Sequence, residues 1–173
     1  MACDVNAATP SRGPGAGAPC LQTPRLTIRA FEPGDIDAFM AYRNDLAWMR
    51  FQGFKGLSRA QYERALLAPQ AAAEGMQLAV VETATGNLIG DLYVKVEQGT
   101  AMIGYTVSPT NARRGFAREA VQALLAWLAQ SGLCSVQADV LPGNTASLRL
   151  LGGLGFGQTG ETAEGELRFA RAL

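Results

Sequence analysis

The chain contains no histidine. That absence removes Ser-His-Asp and Cys-His nucleophilic catalysis, imidazole general bases and His-containing zinc sites. Charge is also scarce, with Asp, Glu, Lys and Arg at 17% of 173 residues, against about 25% in ordinary soluble domains. Fifteen basic and fifteen acidic residues cancel, so net charge calls for neither a nucleic-acid nor an acidic-membrane partner. The three cysteines, Cys3, Cys20 and Cys134, have no spacing that suits a zinc ribbon or a redox CxxC pair. So sparse a set reads as reduced and intracellular. Cys134 sits among apolar residues and is expected in the core. No apolar run approaches the roughly 18 residues of a membrane span. The N-terminus lacks the apolar stretch of a secretory signal, so the expected compartment is the cytoplasm. What remains for chemistry is carboxylate, hydroxyl, amide, guanidinium and backbone. Hydrophobic residues make up 48% of the chain, enough for one domain with a real core.

Residues 1–24 hold four of the eight prolines and a Gly/Ala/Pro-rich centre. Such a segment buries too little apolar surface to offset ordering and is expected to be a flexible tail ahead of one domain, 25–173. From Arg25 the pattern becomes regular. Leu26, Ile28 and Ala30 alternate with polar residues, as in a strand. Pro33 and Asp35 open a helix to about Arg43. An aromatic-rich connection, 46–57, carries Trp48, Met49, Phe51 and Phe54, and Ser58 caps a helix over 59–67. Three strands follow as an antiparallel meander, 76–82, 88–96 and 100–107. The turn between the first two contains Gly86 at a positive-φ position. An amphipathic helix spans 114–130, with Ala117, Val121, Leu124 and Leu128 on one stripe. A strand at 135–140, a helix over 145–154 and a terminal hairpin complete the order β-α-α-β-β-β-α-β-α-β-β. That order predicts an α+β fold with a mixed sheet and helices on its faces.

The stretch from Ile103 to Ala120 carries the chemistry. A strand ends, Pro109 stops it, and a glycine-containing turn opens a helix. The first amides of that helix have no intrahelical acceptor, and the dipole adds partial positive charge. Gly115 and Ala117 let an anion approach the backbone, and Arg113, Arg114 and Arg118 surround it with charge. The pattern suits a phosphate or pyrophosphate. It lacks the spacing of a Walker loop, and Gly153-Leu-Gly155 is no dinucleotide fingerprint because position 158 is Gln. An ordinary loop with surface arginines is the competing reading of these residues taken alone.

Five pieces occur in order: Arg25-Leu-Thr-Ile-Arg29 with Asp35, Leu88-Ile-Gly-Asp91, Ile103-Gly-Tyr105, Arg114-Gly-Phe-Ala-Arg-Glu-Ala120, and Asn144-Thr-Ala-Ser147 with Leu154-Gly-Phe156. Together they make the chain resemble the GNAT N-acetyltransferases, within them the group that acetylates ribosomal-protein N-termini. The resemblance implies a mostly antiparallel mixed sheet with helices on both faces and a splayed parallel strand pair, here 100–107 and 135–140. It implies acetyl-CoA as donor and direct transfer to a peptide N-terminus or small-molecule amine, in a monomer or homodimer. The pantetheine arm would pair with free backbone groups near Thr106 and Val107. The pyrophosphate would meet Arg113, Arg114, Gly115, Phe116, Ala117 and Arg118. A preorganised backbone amide on the third meander strand would stabilise the oxyanion.

Departures from the family pattern shape the expected roles. Ala112 stands where Gln or Arg is common, and Arg113 where a further Gly is usual. Leu151 replaces the tyrosine that many members use as general acid. Ser147 matches the serine of the ribosomal-protein group, so the resemblance assigns it that role, with Asn144 beside it as cap and ligand contact. Met102 replaces the glutamate base of that group. Asp91, on the neighbouring strand, is the best substitute, directly or through water, with Glu82 and Tyr105 as weaker candidates. The acceptor is expected between 48–54 and the C-terminal hairpin. The alternatives are a catalytically weak or inactive acyl-CoA-binding module and a scaffold that binds no CoA.

Overall fold

The computed structural model describes residues 17–173. Most of the expected tail therefore lies outside the described residues. Within them the sheet begins ahead of Arg25. β1 (Leu21–Gln22) pairs antiparallel with β2 (Leu26–Arg29). A two-residue strand is too short for alternation to announce it. A 3-10 turn, Pro33–Asp35, leads into α1 (Ile36–Arg43). Pro33 supplies the fixed φ that suits a first helical position, and the Asp35 carboxylate accepts from Glu32 N–H at 2.8 Å. α2 (Arg59–Leu67) starts at a reciprocal box in which Gln61 Oε1 accepts from Ser58 N–H and Ser58 Oγ from Gln61 N–H.

The meander is β3 (Met76–Glu82), β4 (Leu88–Glu97) and β5 (Thr100–Val107). α3 (Phe116–Gln130), β6 (Ser135–Val140), α4 (Thr145–Gly153), β7 (Gly157–Glu161) and β8 (Leu167–Ala172) follow. The sheet order is β1-β2-β3-β4-β5-β6-β8-β7. Among the described residues, only β5 and β6 pair in parallel. α3 begins at Phe116, two residues later than the apolar pattern suggests. The cause is Gly115, whose φ of 80° lies in the left-handed region and cannot belong to the helix.

Two cores occupy the two faces. One joins Ala101, Ile103, Val136 and Ala138 to Phe116, Leu124 and Leu128 of α3 and Leu151 of α4. The other joins Ala79, Val81 and Leu88 to Ile36, Phe39, Tyr42, Tyr62 and Met49. A bulge sets the crossover between them. Val80 pairs with Gly90 and Val81 with Leu88, so Ile89 is the extra residue. Ile89 turns into the first core and Leu88 into the second. Gly90 is required here, because a Cβ would stand 2.3 Å from the Thr106 carbonyl oxygen.

Two expectations about cysteine change. Cys134 is exposed, not in the core. It lies in the turn between α3 and β6, before the chain enters the sheet, where apolar neighbours do not imply burial. Cys20 is disulfide-bonded, so the cysteines are not all reduced thiols. No helix among the described residues is long and apolar enough to cross a membrane.

Candidate active site

β5 and β6 pair only from Thr100–Met102 to Ser135–Gln137. Both strands run on, to Val107 and Val140, without pairing with each other. β6 is held on its other side by β8 over its whole length. The result is a wedge in mid-sheet with an unpaired backbone edge on β5. A cleft of about 640 Å³ opens there, lined from β5 by Tyr105, Thr106 and Val107. Its other walls are the loop before α3, the start of α4 and residues 47–52.

The loop before α3 is built for close approach. Gly115 is the helix N-cap in the left-handed conformation, and Arg113 also has positive φ, 62°. The ladder of α3 starts with Glu119 N–H to Gly115 O, leaving the amides of Phe116, Ala117 and Arg118 without intrahelical acceptors. Below them Phe116 is buried, with the guanidinium groups of Arg25 and Arg114 4.4 and 4.7 Å from its ring centroid. Arg113 and Arg118 line the cleft; Arg118 also donates to Gly153 O at 3.1 Å. Arg114 does not line it. Its guanidinium turns to Asn111 Oδ1 and Glu82, and its carbonyl accepts from Arg25. Glu82, thus occupied, lies away from the cleft lining.

Across the wedge, Asn144 caps α4, its Oδ1 accepting from Ser147 N–H at 3.3 Å. Asn144 and Ser147 both line the cleft. The Tyr105 hydroxyl donates to the Ser147 carbonyl at 3.4 Å. Burial pushes the Tyr105 phenol up to about 12, the bond to Ser147 offsetting part of the effect. Tyr105 therefore keeps its proton near neutral pH. Thr106 Oγ1 is buried and has no hydrogen-bond partner. A buried orphan hydroxyl beside an open cleft is the kind of group a ligand satisfies.

A second cavity, of about 410 Å³, shares Tyr105 and Gln52 with the first. Gln77, Asp91, Tyr93 and Gly104 line its sheet side, and α2 and Phe54 close it. The C-terminal hairpin contributes nothing to this lining, which α2 and β3 share with Phe54 and Arg43. Asp91 is 1% exposed. Its Oδ1 accepts from the Tyr42 hydroxyl at 2.6 Å and Arg43 Nε at 3.3 Å. Its Oδ2 accepts from Arg43 Nη2 and Gln77 Nε2. Burial alone would lower the Arg43 pKa, but the charge of Asp91 outweighs it and the guanidinium ends above its ordinary value. Burial, with Asp91's charge, likewise pushes the Tyr42 phenol well up. The structure thus places Asp91 in the cavity but commits both its oxygens to partners.

The sequence reading missed Arg43, Gln77 and Gln52. Arg43 looks like a surface cation at a helix C-terminus, and no local pattern links it to a carboxylate 48 positions away.

An acetyltransferase (GNAT) domain model matches residues 25–157. An uncharacterized N-acetyltransferase, p20, of Bacillus licheniformis is 31% identical over 161 residues, 85% of this chain and 90% of that protein. A GNAT-family acetyltransferase from Bacillus anthracis superposes with a TM-score of 0.77 at 22% identity, covering 89% of this chain and 97% of that one. Spermidine N-acetyltransferase from Vibrio cholerae, solved with CoA and spermine, gives 0.74 at 18% identity, covering 87% and 96%. The chain belongs to the GNAT acetyltransferase family, and its mixed eight-stranded sheet with four helices is that fold.

Proposed function

We propose that the protein transfers an acetyl group from acetyl-CoA directly to a primary amine, with the donor in the wedge cleft and the acceptor in the second cavity. The observation that carries this reading is that the two cavities share Tyr105 and Gln52, where β5 leaves β6. The residues present fit acetyl-CoA. The unpaired edge of β5 matches the amides of an extended arm, and the loop amides at 116–118 with Arg113 and Arg118 match a pyrophosphate. Bound there, acetyl-CoA supplies an activated thioester. The amine nitrogen bonds to the thioester carbon, the C–S bond breaks, and sulfur gains the proton that nitrogen loses.

The chain's own groups orient and protonate. Tyr105 of β5, which holds its proton, and Ser147 at the start of α4 are candidate proton donors to the departing sulfur. Asp91 binds Arg43, Tyr42 and Gln77 and so shapes the acceptor floor; with its lone pairs engaged, the amine must arrive largely neutral. A peptide α-amine of pKa about 7.8 is roughly 30% neutral at pH 7.4, while a lysine amine near 10.4 is only ~0.1% neutral. The ionisable groups lining the acceptor cavity, apart from two tyrosines, are Arg43 and Asp91, which neutralise each other. That favours α-amines and other weakly basic amines over lysine side chains and polyamines, in keeping with the group that acetylates ribosomal-protein N-termini. Release of free CoA thiol with a panel of peptides, amino-acid amides, lysine derivatives and polyamines is the test. Turnover that prefers α-amines and other weakly basic amines, rising with pH until the amine has titrated, is expected. Efficient lysine or polyamine acetylation at pH 7 would show the acceptor reading to be wrong, and no turnover with any amine would remove the transferase reading.

A further inference from the structure

The unpaired edge of β5 is not wholly bare. Trp48 Nε1 donates to the Val107 carbonyl at 3.0 Å, across 59 positions of sequence. That carbonyl lies in the segment of β5 beyond its last pair with β6, inside the wedge cleft. Trp48 is 41% exposed as a residue, so burial alone does not hold its side chain there. It rides on a connection without regular helix or strand, whose neighbours are pinned. Met49 is buried in the second core, Lys55 Nζ donates to Met49 O at 2.7 Å, and Arg43 Nη1 donates to Phe54 O at 3.0 Å. The Trp48 side chain therefore has room to leave while the backbone on its C-terminal side stays fixed.

An indole has one N–H donor and no acceptor. At Val107 it does what an amide N–H of an extended ligand would do. We propose that Trp48 is a placeholder for the donor's arm: its N–H satisfies Val107 O in the free protein and is displaced by an amide N–H of acetyl-CoA. This rests on the acetyl-CoA reading above and makes Trp48 a positioning residue of the donor site. Displacement exchanges one neutral hydrogen bond for another, so the indole acts as a competitor that weakens donor binding without blocking it.

The two tryptophans allow a direct test, since Trp127 is buried on α3 and Trp48 is exposed. Acetyl-CoA is titrated into wild type and Trp48→Phe, with binding followed by calorimetry and by tryptophan emission. Wild type is expected to change emission in step with binding, and Trp48→Phe to bind about 2- to 10-fold more tightly with no matching emission change. Phe keeps an aromatic ring at this position and removes the N–H donor. Binding in wild type with unchanged emission, or a Trp48→Phe affinity that is equal or weaker, overturns the proposal while leaving the acetyl-CoA reading intact. Absence of any calorimetric binding in wild type overturns both.

Discussion

Arg113 shows at the scale of one residue how a departure from a pattern is accommodated. A non-glycine side chain there is held at a φ of 62°, next to Gly115 at 80°. Left-handed backbone costs an L-residue about 1–2 kcal/mol, and glycine costs about 0.5–1 kcal/mol through its looser unfolded state. Arg113→Gly is therefore expected to raise stability by about 0.5–1 kcal/mol, or ~1–4 °C in Tm for a chain of this size. It also removes a charge from the cleft, so acetyl-CoA affinity should fall and become less salt-dependent. Melting curves with and without ligand would read both effects; a fall in Tm would show the backbone is not strained. Asp91 sets a second expectation. Taking the charge from a buried pair leaves Arg43 uncompensated, at a typical cost of about 3–5 kcal/mol. Asp91→Asn should thus lose that much in denaturant unfolding. Any enzyme that stays folded should keep the wild-type shape of its pH–rate profile; loss of an ionisation from that profile would return Asp91 to the role of base.

At the scale of elements, the turn between β1 and β2 is clasped to α3 by Glu119. Its carboxylate accepts from Thr23 Oγ1 at 2.6 Å and from Arg25 N and Nε at 3.0 and 2.7 Å. Burial alone would raise the Glu119 pKa, but the bonds from Thr23 and Arg25 prevail and hold it below its ordinary value. A carboxylate with a depressed folded pKa adds stability above its unfolded pKa of about 4.3 and loses it as pH falls through the folded value. Glu119→Gln should narrow the stability gap between pH 6 and pH 3, read by melting temperature across that range. An unchanged gap would show that the clasp carries no linkage. Most elements were legible from local pattern, because Ser58, Pro33, Gly86 and the alternation of 76–107 act within a few residues. β1 was not, having only two residues, and Cys134 misled because a turn interrupts its apolar surroundings. The start of α3 came out two residues early, since apolar spacing does not register a left-handed cap.

The whole molecule shows where sequence reading stops. The chemistry-bearing stretch 103–120 was visible because strand, turn and helix start are contiguous. The floor of the second cavity and the indole contact in the wedge were not, because Arg43–Asp91 and Trp48–Val107 are contacts between distant segments that only folding brings together. The wedge was expected only through family resemblance, because the length of β5 and β6 does not reveal how far they pair. Its extent has a consequence for exchange with solvent. Amides near the centre of an eight-stranded sheet ordinarily exchange only through global unfolding. Here the last part of β5, 103–107, has no β6 partner, so amides turned toward the wedge should exchange in deuterated water like those of a loop while Thr100–Met102 stay protected. Saturating acetyl-CoA should slow the fast set and leave the slow set unchanged. Uniform protection along β5 in the free protein would mean that the wedge closes in solution.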